Sequence, residues 1–579
     1  MTDPVDGLVG LRLRPGTAVT PLRDGLHLRG RRSSVTLEGS RALPALWRML
    51  EPALRTGEQD ALTADAPAGS PVRTALGTLV AQLHTHDLLV AQPTAADAAA
   101  ARWLRAVTAH PDAAATAIAS ADPRILASDL ADPLALAAGR ALARSGAAPG
   151  YVESRDTAGR ILLVASVASV ASVAGAPIGG RVAVAAGASG GIAFVTAPGS
   201  PEQARADTVA LTARLGSLPE PDHLGGPASL TALVAGAAVQ RLLCAVAGMP
   251  DPADEGDDRR ILPDRPAVLV ATARPPQADY HVWLGADPVD PDRAAAVAAP
   301  GTLAEALRRV AVLGDELLGV LPLPLPGALP QLPAALVSCP LPDGILVAGA
   351  ARVDLARLDA MCRAAELRLA TRGCEVAVGV DAGHAWGRAL RRAAAATDRP
   401  AGPALPAAQW LDHPQACHWW TTLTVRLGIR AQLCVTRVLA DGPGFHGTVR
   451  DHTGRLLGEA VEATAGDAAA FAALSATAQV QAARAQVTPT QESRPSGASA
   501  PIATAGAVFA GWEDEGWTTR WLAGVASREQ GLQSALRRLT GPTARVAQPW
   551  EPVDDEARAV AAALHGCGFT VLRTTGGAP

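Results

Sequence analysis

His413, Cys417 and His418 in the run HPQACHW lie at helical i, i+4 spacing, with His446 and His452 further along the chain. Ligands on one helix face are what a tetrahedral zinc ion requires. The same run is crowded with Trp410, Trp419 and Trp420, so core packing is the expected role. A magnesium–ATP site would instead show glutamates three or four residues apart on a helix, where both carboxylates share a face. The segment LARLDAMCRAAELRLATRG, residues 355–373, keeps Glu366 but sets Arg363 three residues before it. An intrahelical ion pair on a solvated face is expected there. A nucleotide loop needs glycines where backbone approaches phosphate, and the runs AGAPIGGRV and AAGASGG around 175–191 match neither the dinucleotide nor the P-loop pattern. The strand-to-helix turn in RILASDLADPLALAAGRALARSG, residues 124–146, carries Ser128, Asp129 and Asp132, and its carboxylates would repel phosphate. No ATP site is expected at that turn. The seven cysteines, Cys244, Cys339, Cys362, Cys374, Cys417, Cys434 and Cys567, form no C-x2-C or C-x4-C pair and read as small buried hydrophobes in a reducing cytoplasm.

The chain has 579 residues, 49% hydrophobic and 18% charged, enough for several cores. Arginine supplies all 51 basic charges, because lysine is absent, as is asparagine. That excludes a lysine Schiff base, a P-loop lysine and N-glycosylation. With 55 acidic residues the formal charge is −4, too little field to gather nucleic acid or an anionic membrane, so neither is an expected partner. The N-terminal MTDPVDGLVGLRLRPG has no signal-peptide character. Residues 161–180, ILLVASVASVASVAGAPIGG, are uncharged but mostly small and broken by Pro177, which predicts a buried strand and a small-residue segment, not a spanning helix.

The elements that must hold any site divide the chain. Residues 11–37 read as short strands, LRLRP, GLHLRG and SSVTLEG, with Val35 and Leu37 alternating with Ser34 and Thr36. A helix comes next, capped by Ser40, with Leu43, Leu46, Trp47, Leu50 and Leu54 on one face. Pro71 starts a second helix carrying Val72, Leu76, Leu79, Val80 and Leu83, and Leu88–Val90 is strand-like. Together these predict a winged-helix unit over 1–95. From 96 to 300, strands at 124–127, 160–165, 191–196 and 267–271 alternate with helices at 201–215 and 227–247, which predicts an α/β domain with a mostly parallel sheet. Residues 301–579 read as α+β, interrupted by a Pro-rich hinge at 322–333 and a low-complexity linker at 487–501.

The first 95 residues resemble a RiPP recognition element, a PqqD-like winged helix-turn-helix, through LRLRP, DGLHLRG, SSVTLEG, LPALWRML and VRTALGTLVAQLHTHDLLV. Residues 96–300 resemble a degenerate ThiF-like domain, chiefly through HLGGPASLTALVAGAAVQRLLCAVAG at 223–248. The likeness of 301–579 to a YcaO-like domain rests on LPQLPAALVSCPLPDGILVAGAARVDLARLDAMCRAAELRLA at 329–370, where only Glu366 stands in place of that family's two glutamates. The resemblance implies a multi-domain α/β chain. It would be a non-catalytic leader-binding subunit of the kind used in thiopeptide antibiotic biosynthesis, working beside a separate YcaO protein. ATP and magnesium would sit on that partner, with no cofactor or metal in this chain, and a homodimer is a further option.

The expected mechanism is strand addition: an extended leader pairs with Ser33, Ser34, Val35, Thr36 and Leu37, and Arg73, Gly77, Val80 and His84 form the flanking groove wall. Arg29, Arg31 and Arg32 are placed to meet acidic leader residues. Two alternatives stay open. One is an ATP-using cyclodehydratase or adenylating enzyme. The other is a DNA-binding winged-helix regulator, for which nine Arg against seven acids in residues 1–60 give poor phosphate neutralisation.

Overall fold

The structure, a computed structural model, describes residues 11–30, 34–56, 67, 69–91, 99–157, 160–167, 180–189, 191–216, 228–254, 258, 260–263, 265–285, 290, 297–342, 344–370, 375–396, 403–439, 442–485, 517–540, 546–547 and 554–574. Arg31, Arg32, Ser33, Cys374 and the 487–501 segment lie outside them. The chain is a mixture of helices and sheets in two compact units: residues 1–263, 267–280 and 286–293 form one, and 264–266, 281–285 and 294–579 the other.

In the first unit β1 (Leu11–Leu13) pairs antiparallel with β5 (Leu89–Ala91), while β2 (Ala18–Leu22), β3 (Gly25–Arg29) and β4 (Ser34–Glu38) make a separate antiparallel sheet in that order. The Ser40 hydroxyl accepts from the Ala42 amide ahead of α1 (Leu43–Thr56), and Ser70 caps α2 (Pro71–Thr85) by accepting from the Arg73 amide. Leu26, Leu28, Trp47, Leu50, Leu54, Leu76, Leu79 and Leu83 close one core between sheet and helices.

Arg14 joins this module to the helix after it, α3 (Ala99–Val107). Its guanidinium is 3% exposed and donates to the carbonyls of Asp87 and Leu89 and to the Asp87 carboxylate. It also donates to the carbonyls of Arg105 and Thr108, at the end of α3. Helix α4 (Pro111–Ser120) comes next, and then a seven-stranded sheet in the order β12-β11-β10-β9-β8-β6-β7. Its members are β6 (Arg124–Ala127), β7 (Gly150–Glu153), β8 (Arg160–Ser166), β9 (Arg181–Ser189), β10 (Ile192–Val195), β11 (Ala267–Ala273) and β12 (Pro276–Val282).

The expectation of a mostly parallel sheet is corrected. β6 and β7 are parallel, but β6–β8, β8–β9, β9–β10 and β10–β11 are antiparallel. A parallel neighbour needs a crossover of a dozen residues or so, which α5 (Pro133–Arg144) supplies between β6 and β7. Only residues 190–191 separate β9 from β10, so that pair can only be a hairpin. Side chains alternate across β8: Ile161, Leu163 and Ala165 face α7 (Ala228–Val246), and Leu162 and Val164 share a smaller cluster with Ala204 of α6 (Pro201–Leu215). Of the 161–180 segment, the described start is this buried strand; residues 168–179 lie outside the described set. Among the described residues α7 is the helix long and apolar enough to cross a membrane. It packs instead in the core, where Arg241, 1% exposed, donates to the carbonyls of Thr196 and Ala267 and to both Asp251 oxygens.

The second unit centres on α12 (Ala465–Arg484), an alanine-rich helix buried along most of its length. It lies on the antiparallel sheet of β16 (Ala431–Arg437), β17 (Phe445–Asp451) and β18 (Leu456–Glu462). The approach is close because two glycines face it: a Cβ on Gly458 would stand 2.5 Å from the Ala472 carbonyl oxygen, and one on Gly447 2.5 Å from that of Ala468. Packed around this are α8 (Leu303–Leu313), the hairpin β13 (Ala335–Leu341) and β14 (Gly344–Ala350), and α9 (Val353–Leu369). α10 (Ala382–Ala396), α11 (Pro414–Thr421), α13 (Trp517–Thr540) and α14 (Asp555–Gly566) complete the helices, and β15 (Glu375–Gly379), β20 (Thr570–Thr574) and β19 (Val546–Ala547) form a third sheet. The Pro-rich segment is a pinned strap, not a hinge. Leu325 and Ser338 exchange backbone hydrogen bonds, and the Gln481 side chain donates to the carbonyls of Pro330 and Ala334 and accepts from the Ala334 amide.

Candidate functional site

Strand β4 is the open edge of its sheet. It pairs with β3 from Arg29↔Ser34 to Gly25↔Glu38, and among the described residues no further strand comes after it in the order. Val35 and Leu37 are half-buried against the core, while Ser34, Thr36 and Glu38 are exposed. An edge strand directs every second amide and carbonyl outward, unpaired. The opposite edge, β2, carries Pro21, which has no amide to give and blunts that side. On the outer face the His27 ring ties β3 to β4: Nδ1 lies 2.9 Å from Thr36 Oγ1 and Nε2 3.2 Å from Ser34 Oγ. Arg29 is exposed at the Ser34 end.

The helix α2 differs from expectation. Leu76, Leu79 and Leu83 face the core as anticipated, but Arg73 (7% exposed), Gly77 and Val80 (6%) are buried as well. Of the expected groove wall, His84 alone is exposed. The reason is arc width. The run 73, 76, 77, 80 follows the helical repeat beside the leucines, and the small module buries more than one stripe of this helix.

In the second unit the Arg363–Glu366 pair is not on a solvated face, and that expectation is corrected too. Glu366 is 1% exposed. Its Oε1 accepts from the Val378 amide (3.1 Å), Arg388 Nε (3.1 Å) and Arg392 (3.3 Å), and its Oε2 from Arg392 (2.8 Å), Arg363 (3.3 Å) and Arg388 (3.4 Å). Arg388 also donates to Asp359. Burial alone would raise the Glu366 pKa, but the guanidiniums of Arg388, Arg392 and Arg363 override it and hold the carboxyl down to about 2. Burial, reinforced by Arg388, lowers His384 to about 3, and burial raises the Cys362 thiol to about 12. Both are therefore neutral. Every face of the Glu366 carboxylate is taken by an N–H donor, so these residues do not fit a magnesium ion. The sequence showed Arg363 because it is three residues away; Arg388 and Arg392, 22 and 26 residues on, arrive through the packing of α10 on β15.

Other candidates are absorbed by structure. Asp132 caps α5 by accepting from the Leu134 amide, and Asp129 accepts from that of Ala131. His413 caps α11, His418 meets the Trp419 ring edge-on, and Trp410 and Trp419 are core. Among the described residues no group of three His, Cys, Asp or Glu side chains is placed to hold a metal. Cys244, Cys339, Cys362 and Cys567 are buried, as expected; Cys417 is exposed and Cys434 half-buried.

No protein-family model and no curated protein sequence matches the chain. Solved structures do. A heterocyclase in complex with substrate and cofactor is 11% identical, covering 98% of this chain and 94% of its own, with a TM-score of 0.48. The heterocyclase TruD is 12% identical over 84% and 85%, with a TM-score of 0.41. E. coli MccB with ATP is 10% identical over 48% of this chain and 98% of its own, with a TM-score of 0.30.

Proposed function

We propose that this chain captures the leader of a ribosomally made precursor peptide as an added strand on β4. It then presents the peptide's core to a separate YcaO protein for ATP-dependent cyclodehydration of Cys, Ser or Thr to azolines. The observation that carries the reading is the asymmetry of the β2–β4 sheet, with Pro21 on one edge and an unblocked β4 on the other. Backbone pairing gives affinity, and the half-buried Val35 and Leu37 set register by alternation. Arg29 favours an acidic residue at the Ser34 end. The DNA-binding alternative loses support because Arg73, the arginine of the would-be recognition helix, is buried away from any phosphate.

Fluorescence polarisation of the labelled leader against the full chain tests this. Val35→Pro removes an amide and distorts the edge, and it is expected to weaken binding at least about tenfold, ~1.4 kcal/mol. Val209→Thr, at a 65% exposed site on α6, serves as the unaffected control. Unchanged affinity in a folded Val35→Pro chain would overturn the assignment.

ATP chemistry by this chain itself is the second reading, and the donor-saturated Glu366 argues against it. Calorimetry with ATP and magnesium should give no binding heat. A stoichiometric heat lost in Glu366→Gln would restore the enzyme reading.

A further inference from the structure

Helix α13 docks on the rest of the second unit through buried charge as much as through apolar contact. Trp521 Nε1 donates to Asp467 at 2.8 Å, and Arg528 donates to the other oxygen of that carboxylate at 2.7 Å. Gln533 donates to the Gly383 carbonyl, and Arg537 lies over the Trp386 ring. At the centre sits Arg391 of α10, a single guanidinium forked between two carboxylates: Glu462 of β18 at 3.0 and 2.9 Å, and Glu529 of α13 at 2.7 and 2.5 Å. Glu462 is 1% exposed and Glu529 5%. One cation cannot neutralise two desolvated anions, so a proton on one of them relieves the pair.

We propose that docking of α13 is gated by pH through the shared-guanidinium pair Glu462 and Glu529. The charged groups facing Glu462 are Arg391 from α10, Glu529 from α13 and Asp467 from α12, the last already engaged by Arg528; the residue opposite on β17 is the uncharged Phe445. Burial raises the Glu462 carboxyl to about 7, against the pull of Arg391 and with Glu529 and Asp467 adding to the rise. A raised pKa in the docked state means that the docked form holds a proton the undocked form releases. Its stabilisation is therefore full below the ordinary carboxylate range and lost as pH rises through about 7. Undocking is favoured on the alkaline side.

Hydrogen exchange of the full chain at pH 6 and pH 8, corrected for intrinsic rates, reads this directly. Amides of 517–540 should lose about tenfold protection between the two, the linkage of one proton across that window. Amides of α12, the buried helix, serve as the reference. In Glu462→Gln the amide oxygen still accepts from Arg391 but nothing titrates, so the change should vanish. Glu529→Gln, which leaves Glu462 as the guanidinium's sole carboxylate, should shrink it, and it decides the matter if the first variant does not fold. Equal protection of wild type at both pH values, or a tenfold loss that persists in the variants, would overturn the proposal.

Discussion

Replacing Glu366 by alanine should remove about 3–5 kcal/mol from the stability of the second unit, the range expected when one partner of a buried ion cluster is deleted. The reason is what stays behind: Arg388, 7% exposed, would keep only Asp359, and the Val378 amide would lose its acceptor. Glu366→Gln retains an oxygen for Val378 but not the charge, so it should fall between alanine and wild type. Urea unfolding followed by far-UV circular dichroism measures both, provided that the two units' transitions are separated. The same carboxyl sets an acid limit. Its pKa is depressed to about 2 in the folded chain, so its contribution is present above the unfolded value near 4.5 and is lost as pH falls toward 2. A Glu366→Ala chain with wild-type stability would show that the cluster repacks around a hole and that its charges are not coupled to folding.

Arg14→Met should cost about 3 kcal/mol, and locally. Methionine fills much of the volume but leaves the carbonyls of Asp87, Leu89, Arg105 and Thr108 without their donor. Asp87 sits at φ +54°, a conformation that a non-glycine residue holds only when its surroundings insist on it, and the Arg14–Asp87 ion pair is part of that insistence. Hydrogen exchange should accelerate at 11–14, 87–91 and 99–108 and stay unchanged in the seven-stranded sheet. Uniform acceleration across the first unit would mean that Arg14 supports its folding as a whole, not the junction.

Much of the first unit was legible. The strand at 124–127, the helix at 201–215 and the helix start at Pro71 follow from local periodicity and from Pro and Ser at the helix starts, and the structure agrees with them. Sheet direction was not legible, because apolar strands buried on both faces look alike whether parallel or antiparallel; only the length of the connection distinguishes them. The strand at Ser34, Val35, Thr36 and Leu37 is legible from its alternation, whereas the burial of Arg73, Gly77 and Val80 is not, because periodicity gives the centre of a helix's buried face and not its width. The Glu366 cluster was half visible. Its intrahelical arginine could be counted off the sequence, while Arg388, Arg392 and Asp359 meet it only through tertiary contact.

The Arg14 junction also bears on which residues of a captured peptide would be modified. A buried guanidinium ties the N-terminal module to the helix that follows it, so under the proposed function the module would hold one direction instead of sweeping a cone. On the proposed function, a peptide leaving β4 would start from a fixed origin, and its reach would be set by its own length, at most ~3.3–3.6 Å per residue. Spacing along the precursor acts as a ruler. Inserting residues between leader and core should shift the modified positions in step with the insertion, whereas in Arg14→Met that correspondence should blur.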